Sequence, residues 1–180
     1  LTDKQKSYHQ KTKVRDLALL TLLLGTGIRV SECVGLNIAD IDFKNGGIRI
    51  YRKGGKEVTV YFGTEVEDAL LDYLEERDRI IPEKGHEDAL FLSLQRRRMA
   101  VRSVENLVKK YARIVSPLKP ITPHKLRSTY GTNLYRETGD IYLVADVLGH
   151  SDVNTTKRHY AALEDERRRS ARNKVRLREK

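Results

Sequence analysis

A mainly helical domain with one small antiparallel sheet is what this sequence predicts, and three observations predict it. Apolar residues recur at helical spacing through most of the chain. Strict alternation is confined to the neighbourhood of Ile48–Ile50 and Val58–Phe62, with Gly54-Gly55 between them. Pro82 and Gly85, Pro117 and Pro120, Gly139 and Gly149 stand where helical runs would have to end.

The elements follow in order. Leu1 to Lys13 is polar and reads as a loose terminus. From Val14 to Leu24 apolar density rises without interruption, which predicts a buried helix ending at Gly25 or Gly27, where glycine can take a left-handed cap. A short helix over Arg29 to Leu36 follows. Ile41 to Phe43, the run around Ile48 to Arg52 and the run from Val58 to Phe62 then form a meander of two or three strands. Thr64 with Glu67 carries a capping-box signature and opens a helix bearing Val66, Leu70, Tyr73, Leu74 and Arg77, closed by Pro82 and Gly85. Ala89 to Leu92 is a buried extended piece. Arg96, Arg97 and Arg98 form a basic cluster, either solvated or facing phosphate. Ser103 is positioned to cap a helix carrying Val104, Leu107, Val108, Tyr111 and Val115. Thr122-Pro123 starts another that runs to about Thr138, because proline at the first helical position has no amide to waste. Asp140 caps the next, which ends at Gly149, and a charged helical tail covers about 164–180.

Composition bounds the function. The 180 residues suit one compact domain or two very small ones, and residues 1–180 are expected to form a single domain. Lys and Arg number 35 against 25 Asp and Glu, giving +10 at neutral pH. That excess fits either a well-charged soluble surface or a polyanion partner whose counterions cationic side chains would release. Cys33 is the only cysteine, which rules out an intrachain disulfide and fits a reducing cytosol; it reads as a small buried residue. The longest apolar run, Leu17 to Leu24, is too short to span a bilayer, and no signal peptide is visible. The chain opens on Leu1 without a methionine and is expected to be an excised fragment.

Five positions together suit one phosphate: Arg29, Lys53, the pair His124 and Arg127, and His150, with Tyr160 ten residues beyond the last. Guanidiniums neutralise phosphate oxygens, imidazoles move protons or donate hydrogen bonds, an ammonium can protonate a leaving alkoxide, and a phenol can attack. His124 and Arg127 lie three apart on one face, in the first turns of their helix, where amide donors and the dipole favour an anion. Glu32, three residues after Arg29, can orient its guanidinium. Lys53 sits at a hairpin tip with Lys56 on the same hairpin. The histidines lack tight metal-ligand spacing, so no metal and no cofactor are expected.

Taken together, these segments resemble the catalytic domain of the tyrosine recombinases, or phage-type integrases, nearest to those of bacterial mobile elements and prophages with the Xer recombinases close by. Gly25-Thr26-Gly27-Ile28-Arg29-Val30-Ser31-Glu32 resembles the family's first arginine box and Lys53-Gly54-Gly55-Lys56 its hairpin lysine. His124-Lys125-Leu126-Arg127-Ser128-Thr129 matches the His-x-x-Arg box. Leu148-Gly149-His150-Ser151, followed by Thr155-Thr156 and Tyr160, matches the C-terminal box. The family normally carries an N-terminal core-type DNA-binding domain, which is expected to be absent from this chain.

The resemblance implies the tyrosine recombinase catalytic-domain fold and metal-independent, site-specific DNA strand exchange. Tyr160 would attack the scissile phosphate to give a 3′-phosphotyrosyl link and a free 5′-hydroxyl, and a new 5′-hydroxyl would religate it. A phenol titrates near about 10, so His124 would accept or relay its proton. Arg29 and Arg127 would stabilise the transition state, Lys53 or Lys56 would protonate the departing oxygen, His150 would donate to a phosphate oxygen, and Glu32 would hold Arg29. Expected partners are double-stranded recombination sites and further copies, a tetramer of the full-length protein, in the bacterial cytoplasm and on the nucleoid. The tail would pack on a neighbour, contact DNA or remain a solvated helix. The rival readings are a type IB topoisomerase-like activity and a catalytically silent DNA-binding domain.

Overall fold

The computed structural model describes residues 2–172 and Lys174. The chain divides into two compact units, Leu1–Ser128 and Thr129–Lys180.

The first unit opens with α1 (Asp3–Thr26), a helix far longer than the apolar run alone predicts. Leu1 to Lys13 was expected to be loose, yet from Asp3 it is helical. Thr2 Oγ1 accepts the Gln5 amide at 3.2 Å while Gln5 Oε1 accepts the Thr2 amide at 2.8 Å, so two amides left without helical partners are satisfied reciprocally. The helix also buries polar side chains that hydropathy discounts. Arg15 forks onto Asp16 Oδ1 at 3.0 and 2.7 Å and donates to the Leu92 carbonyl at 3.1 Å, and Asp16 Oδ2 accepts from the Tyr111 hydroxyl at 2.9 Å. A buried charge is tolerable only when paired and hydrogen-bonded in this way. At its far end Gly27 takes φ 67°, and its amide returns to the Leu23 carbonyl. A side chain there would be strained, so the helix stops at this residue.

The short α2 (Val30–Gly35) starts directly after, with Arg29 as its N-cap residue. Then β1 (Ile41–Asp42), β2 (Gly47–Arg52) and β3 (Lys56–Tyr61) form a three-stranded antiparallel sheet in sequential order. The register pairs Ile48 with Val60, Ile50 with Val58 and Arg52 with Lys56. Ile48, Ile50 and Val60 are buried, the alternation visible in the sequence.

α3 (Thr64–Arg77) begins one residue earlier than the capping box requires, with Gly63 as N-cap, so Thr64 lies in the first turn and does not cap. The Glu67 amide bonds the Gly63 carbonyl at 3.1 Å. Nor does Ser103 cap α4 (Val101–Val115), whose N-cap is Ala100. Burial of Val104, Leu107 and Val108 supplies the drive for α4, so no side-chain cap is needed to define its start. Between α3 and α4, Ala89 to Leu92 is buried as predicted, but it is extended only at its ends, where Ala89 and Leu92 form isolated bridges, and bends at Leu90 and Phe91; Tyr73 stacks on Phe91 at 5.3 Å. Two of the clustered arginines serve this region. Arg96 pairs with Glu83 and donates to the Ile81 carbonyl, and Arg98 donates to the Val34 and Leu36 carbonyls and to Asn37. They staple loops, and so are not simply solvated.

Cys33 is fully buried, and burial pushes its thiol up to about 12. At neutral pH it stays a protonated packing group. A thiol reagent is expected to leave the native protein unlabelled and to take up one equivalent after denaturation; labelling of the native protein at the rate of a free thiol would contradict this.

α5 (Pro123–Thr138) begins in the first unit and ends in the second, with Thr122 Oγ1 accepting the Lys125 amide at 3.3 Å. The second unit continues with α6 (Ile141–Leu148), α7 (Val153–His159) and α8 (Ala161–Ala171). Asp140 accepts the amides of Tyr142 and Leu143, as its sequence position predicts, and Gly149 ends α6. The core here is Tyr135, Ile141, Val144, Leu148 and Tyr160. The tail helix runs over Ala161–Ala171, starting before the predicted position, and the prediction for Asn173 and 175–180 falls outside the described residues. Among the described residues no helix is long and apolar enough to cross a membrane.

Candidate active site

The first unit gathers Arg29, Glu32 and Arg127. Gly27, once it has terminated α1, turns its carbonyl to Arg127, whose Nη1 donates to it at 2.6 Å across 100 residues of sequence. Arg127 is only 7% exposed, and its guanidinium is held against Gly27, which precedes Arg29 by two residues in the chain. Arg29 caps α2, and Glu32 one turn on does two things for it: Oε1 accepts the Arg29 amide at 2.8 Å and Oε2 lies 3.4 Å from Arg29 Nη1. The Arg29 side chain keeps 43% exposure, while the Glu32 side chain keeps 4%. A nearly buried carboxylate thus orients a cation that stays open to solvent. His124 sits one turn before Arg127 on α5 and is exposed, on the same side of the helix. Lys53 is exposed at the turn joining β2 and β3, and Lys56 is exposed at the start of β3.

The second unit holds His150 and Tyr160, joined through Thr156. His150 Nδ1 lies 2.5 Å from Thr156 Oγ1, and the Tyr160 amide bonds the Thr156 carbonyl at 3.1 Å. Thr156 itself is fully buried. Tyr160 stands at the joint between α7 and α8, with φ −108° and ψ 18°, the sparsely populated bridge region common among active-site residues. Its ring is 3% exposed, stacked on Tyr135 at 6.1 Å and edge-on to His159 at 4.8 Å. Arg167 of α8 lies over the other aromatic, 5.5 Å from the Tyr135 ring, close against Gly139.

The hydroxyl of Tyr160 explains Gly131, which the sequence reading passed over. A Cβ on Gly131 would stand 2.1 Å from Tyr160 Oη and 3.0 Å from Leu148 Cδ1. Alanine at an open mid-helix site gains up to about 1 kcal/mol over glycine, but overpacking costs about 1–3 kcal/mol. Gly131→Ala is therefore expected to destabilise the protein in a denaturant titration; a stabilised variant would show that Tyr160 is not seated against this helix.

Sequence reasoning singled out Arg29, Glu32, Lys53, His124, Arg127, His150 and Tyr160. It missed the roles of Gly131, of Thr156 and of Arg52, whose Nε lies 3.5 Å from Glu32 Oε2. The signal for Thr156 was present in its spacing of six from His150. Nothing in the sequence distinguishes Gly131 from any other helical glycine.

Comparisons with known proteins bear on the family and the fold. Residues 2–167 match the model of the phage integrase family. The tyrosine recombinase XerD of Oceanobacillus iheyensis is 38% identical over 148 residues, covering 82% of this chain and 50% of that protein. The crystal structure of XerA recombinase superposes with a TM-score of 0.77 at 30% identity, covering 99% of this chain and 65% of that one. That of the XerH site-specific recombinase bound to a palindromic difH substrate, a post-cleavage complex, gives 0.76 at 26% identity, covering 89% and 46%. The chain spans about half the length of the curated relatives it matches. With a family model matched over nearly its whole length and a fold shared with solved recombinases, this chain belongs to the phage integrase family, the tyrosine recombinases.

Proposed function

We propose that the two units together form one catalytic domain that breaks and rejoins DNA at specific sites through a tyrosyl phosphodiester. The observation that carries this reading is the seat of Arg127 on the Gly27 carbonyl, because it ties the His-x-x-Arg segment to the segment that carries Arg29, and both residues are permanently ionised forks. Two guanidiniums tied to one segment suit an anion of high charge density, and the pentavalent phosphorane is such an anion.

Each residue then has a task. Arg29 and Arg127 bind the non-bridging oxygens. Tyr160 Oη attacks phosphorus, forming the phosphotyrosyl bond as the bond to the 5′-oxygen breaks. His124 accepts or relays the phenolic proton, and Lys53 protonates the departing 5′-oxygen. His150, with Nδ1 engaged by Thr156, donates through Nε2 to a phosphate oxygen. The intermediate retains the phosphodiester's energy, so a second 5′-hydroxyl religates without a nucleotide cofactor. Tyr160 is buried, so its release from the packing of Tyr135 must precede attack; full burial of an aromatic is worth roughly 1.5–3 kcal/mol, an amount that protein–DNA contacts can supply. Arg102, Lys109 and Arg113 lie exposed on one side of α4 and extend the cationic surface available to the phosphate backbone. The protein would work as a tetramer on paired sites, in the bacterial cytoplasm and on the nucleoid.

The test is covalent capture. The protein is incubated with a pool of nicked duplexes with randomised flanks, and DNA attached to protein is recovered and sequenced. An adduct at the 3′ side of the break, enriched for a defined sequence, is the expected result. DNA binding with no adduct on any member of the pool would leave only a binding module.

A further inference from the structure

Glu32 faces a second cation besides Arg29. Its Oε2 lies 3.4 Å from Arg29 Nη1 and 3.5 Å from Nε of Arg52, whose side chain is only 8% exposed. One buried carboxylate thus sits between the cap of α2 and the last residue of β2. Arg52 is also the residue on which the hairpin closes. Its carbonyl accepts the Gly55 amide at 3.0 Å, it pairs across the sheet with Lys56, and the next residue in the chain is Lys53. Past Arg52 the turn has little stiffness of its own: Gly54 and Gly55 have positive φ, nothing packs where their side chains would be, and Lys53 is exposed. A lysine on such a tip samples many positions, because its ammonium rides on a flexible four-carbon stem.

Burying a guanidinium here has a desolvation cost that an apolar residue would avoid, and ion pairs of this kind are best understood where they fix a register or a position. We infer that Arg52 is a positioning residue for the hairpin lysine: through Glu32 it moors the end of β2 to the α2 cap that carries Arg29, and so sets Lys53 within reach of the leaving oxygen of the phosphate that Arg29 binds. The inference rests on the recombinase reading above. Arg52 touches no reacting atom; it acts through Lys53.

The chemistry of the leaving group separates this role from a general structural one. When Tyr160 Oη attacks and the phosphorus–oxygen bond breaks, the 5′-alkoxide needs a proton, which Lys53 gives. If sulfur replaces that bridging oxygen, the phosphorus–sulfur bond breaks to a thiolate, which departs without a proton because a thiol titrates at about 8.5, far below an alcohol, so its anion is a much weaker base than the alkoxide. Loss of the proton donor, or of its placement, therefore slows the oxygen substrate alone.

The experiment is single-turnover cleavage of two nicked duplexes that differ only in oxygen or sulfur at that position, using wild type, Arg52→Met, Lys53→Ala and the double variant. Arg52→Met keeps an aliphatic stem, and it is expected to cut the oxygen substrate about 10²-fold more slowly, the size of a misplacement effect. It should cut the sulfur substrate near the wild-type rate. Lys53→Ala should show the same pattern with a loss of about 10²–10⁴ on oxygen, and the double variant should be no slower than Lys53→Ala. Equal slowing on both substrates, or no slowing at all, overturns the inference. If Arg52→Met does not fold, Arg52→Lys carries the comparison: it keeps a cation beside Glu32 with a different reach, and slowing shared by both substrates, or none, is again fatal. A wild type that forms no adduct with either duplex refutes the recombinase reading itself, an outcome distinct from these.

Discussion

Replacing Tyr160 by phenylalanine is expected to abolish covalent attachment to DNA while leaving the fold and DNA binding nearly intact. Only one oxygen is removed. The ring that remains still stacks on Tyr135 and meets His159 edge-on, so the core of the second unit keeps its packing. The space the hydroxyl vacates lies against Gly131 and is smaller than a water-sized cavity, so the stability change should be small. Catalysis has no such fallback. A nucleophile that is deleted from a covalent mechanism typically removes on the order of 10⁴–10⁶ of rate. Adduct formation on a denaturing gel and affinity by mobility shift, measured on the same preparation, separate the two. An adduct that persists in the variant would assign the nucleophile elsewhere.

The second large effect distinguishes the two arginines. Arg29→Ala and Arg127→Ala should each slow cleavage by about 10²–10³, since each removes a charged donor from the transition state. Their stabilities should differ. Arg127 is buried and its Nη1 bonds the Gly27 carbonyl, so alanine there strands that carbonyl and costs roughly 1.5–3 kcal/mol. Arg29 is far more exposed, and in its absence Glu32 still faces Arg52, so Arg29→Ala should unfold close to the wild type. Thermal unfolding with single-turnover rates reads both quantities. Wild-type cleavage by either variant would remove that arginine from the mechanism, and equal loss of stability would contradict the burial difference.

Most of the fold was legible because its signals are local. The alternation at Ile48 and Ile50, the Thr122-Pro123 start and the Asp140 cap each depend on a few neighbouring residues, and each is found where the sequence puts it. The failures share one cause. The first three turns of α1 look polar, and the charged residues that tie the helix to the rest of its unit are Arg15 and Asp16, whose partners Leu92 and Tyr111 are far away in sequence. Likewise Arg96 and Arg98 read as a free basic cluster until the carbonyls they bind are in view.

The sequence by itself determined which chemical groups are present, the helix and strand order that carries them, and the resemblance that names the family, since spacing and residue type survive without coordinates. Tertiary structure alone decided that Arg127 rests on the Gly27 carbonyl, that Glu32 is shared between Arg29 and Arg52, and that Tyr160 is packed against Gly131. Each of those facts is a distance of a few ångströms between residues distant along the chain. Such distances are fixed by how side chains exclude water and satisfy buried charge, which no local pattern encodes.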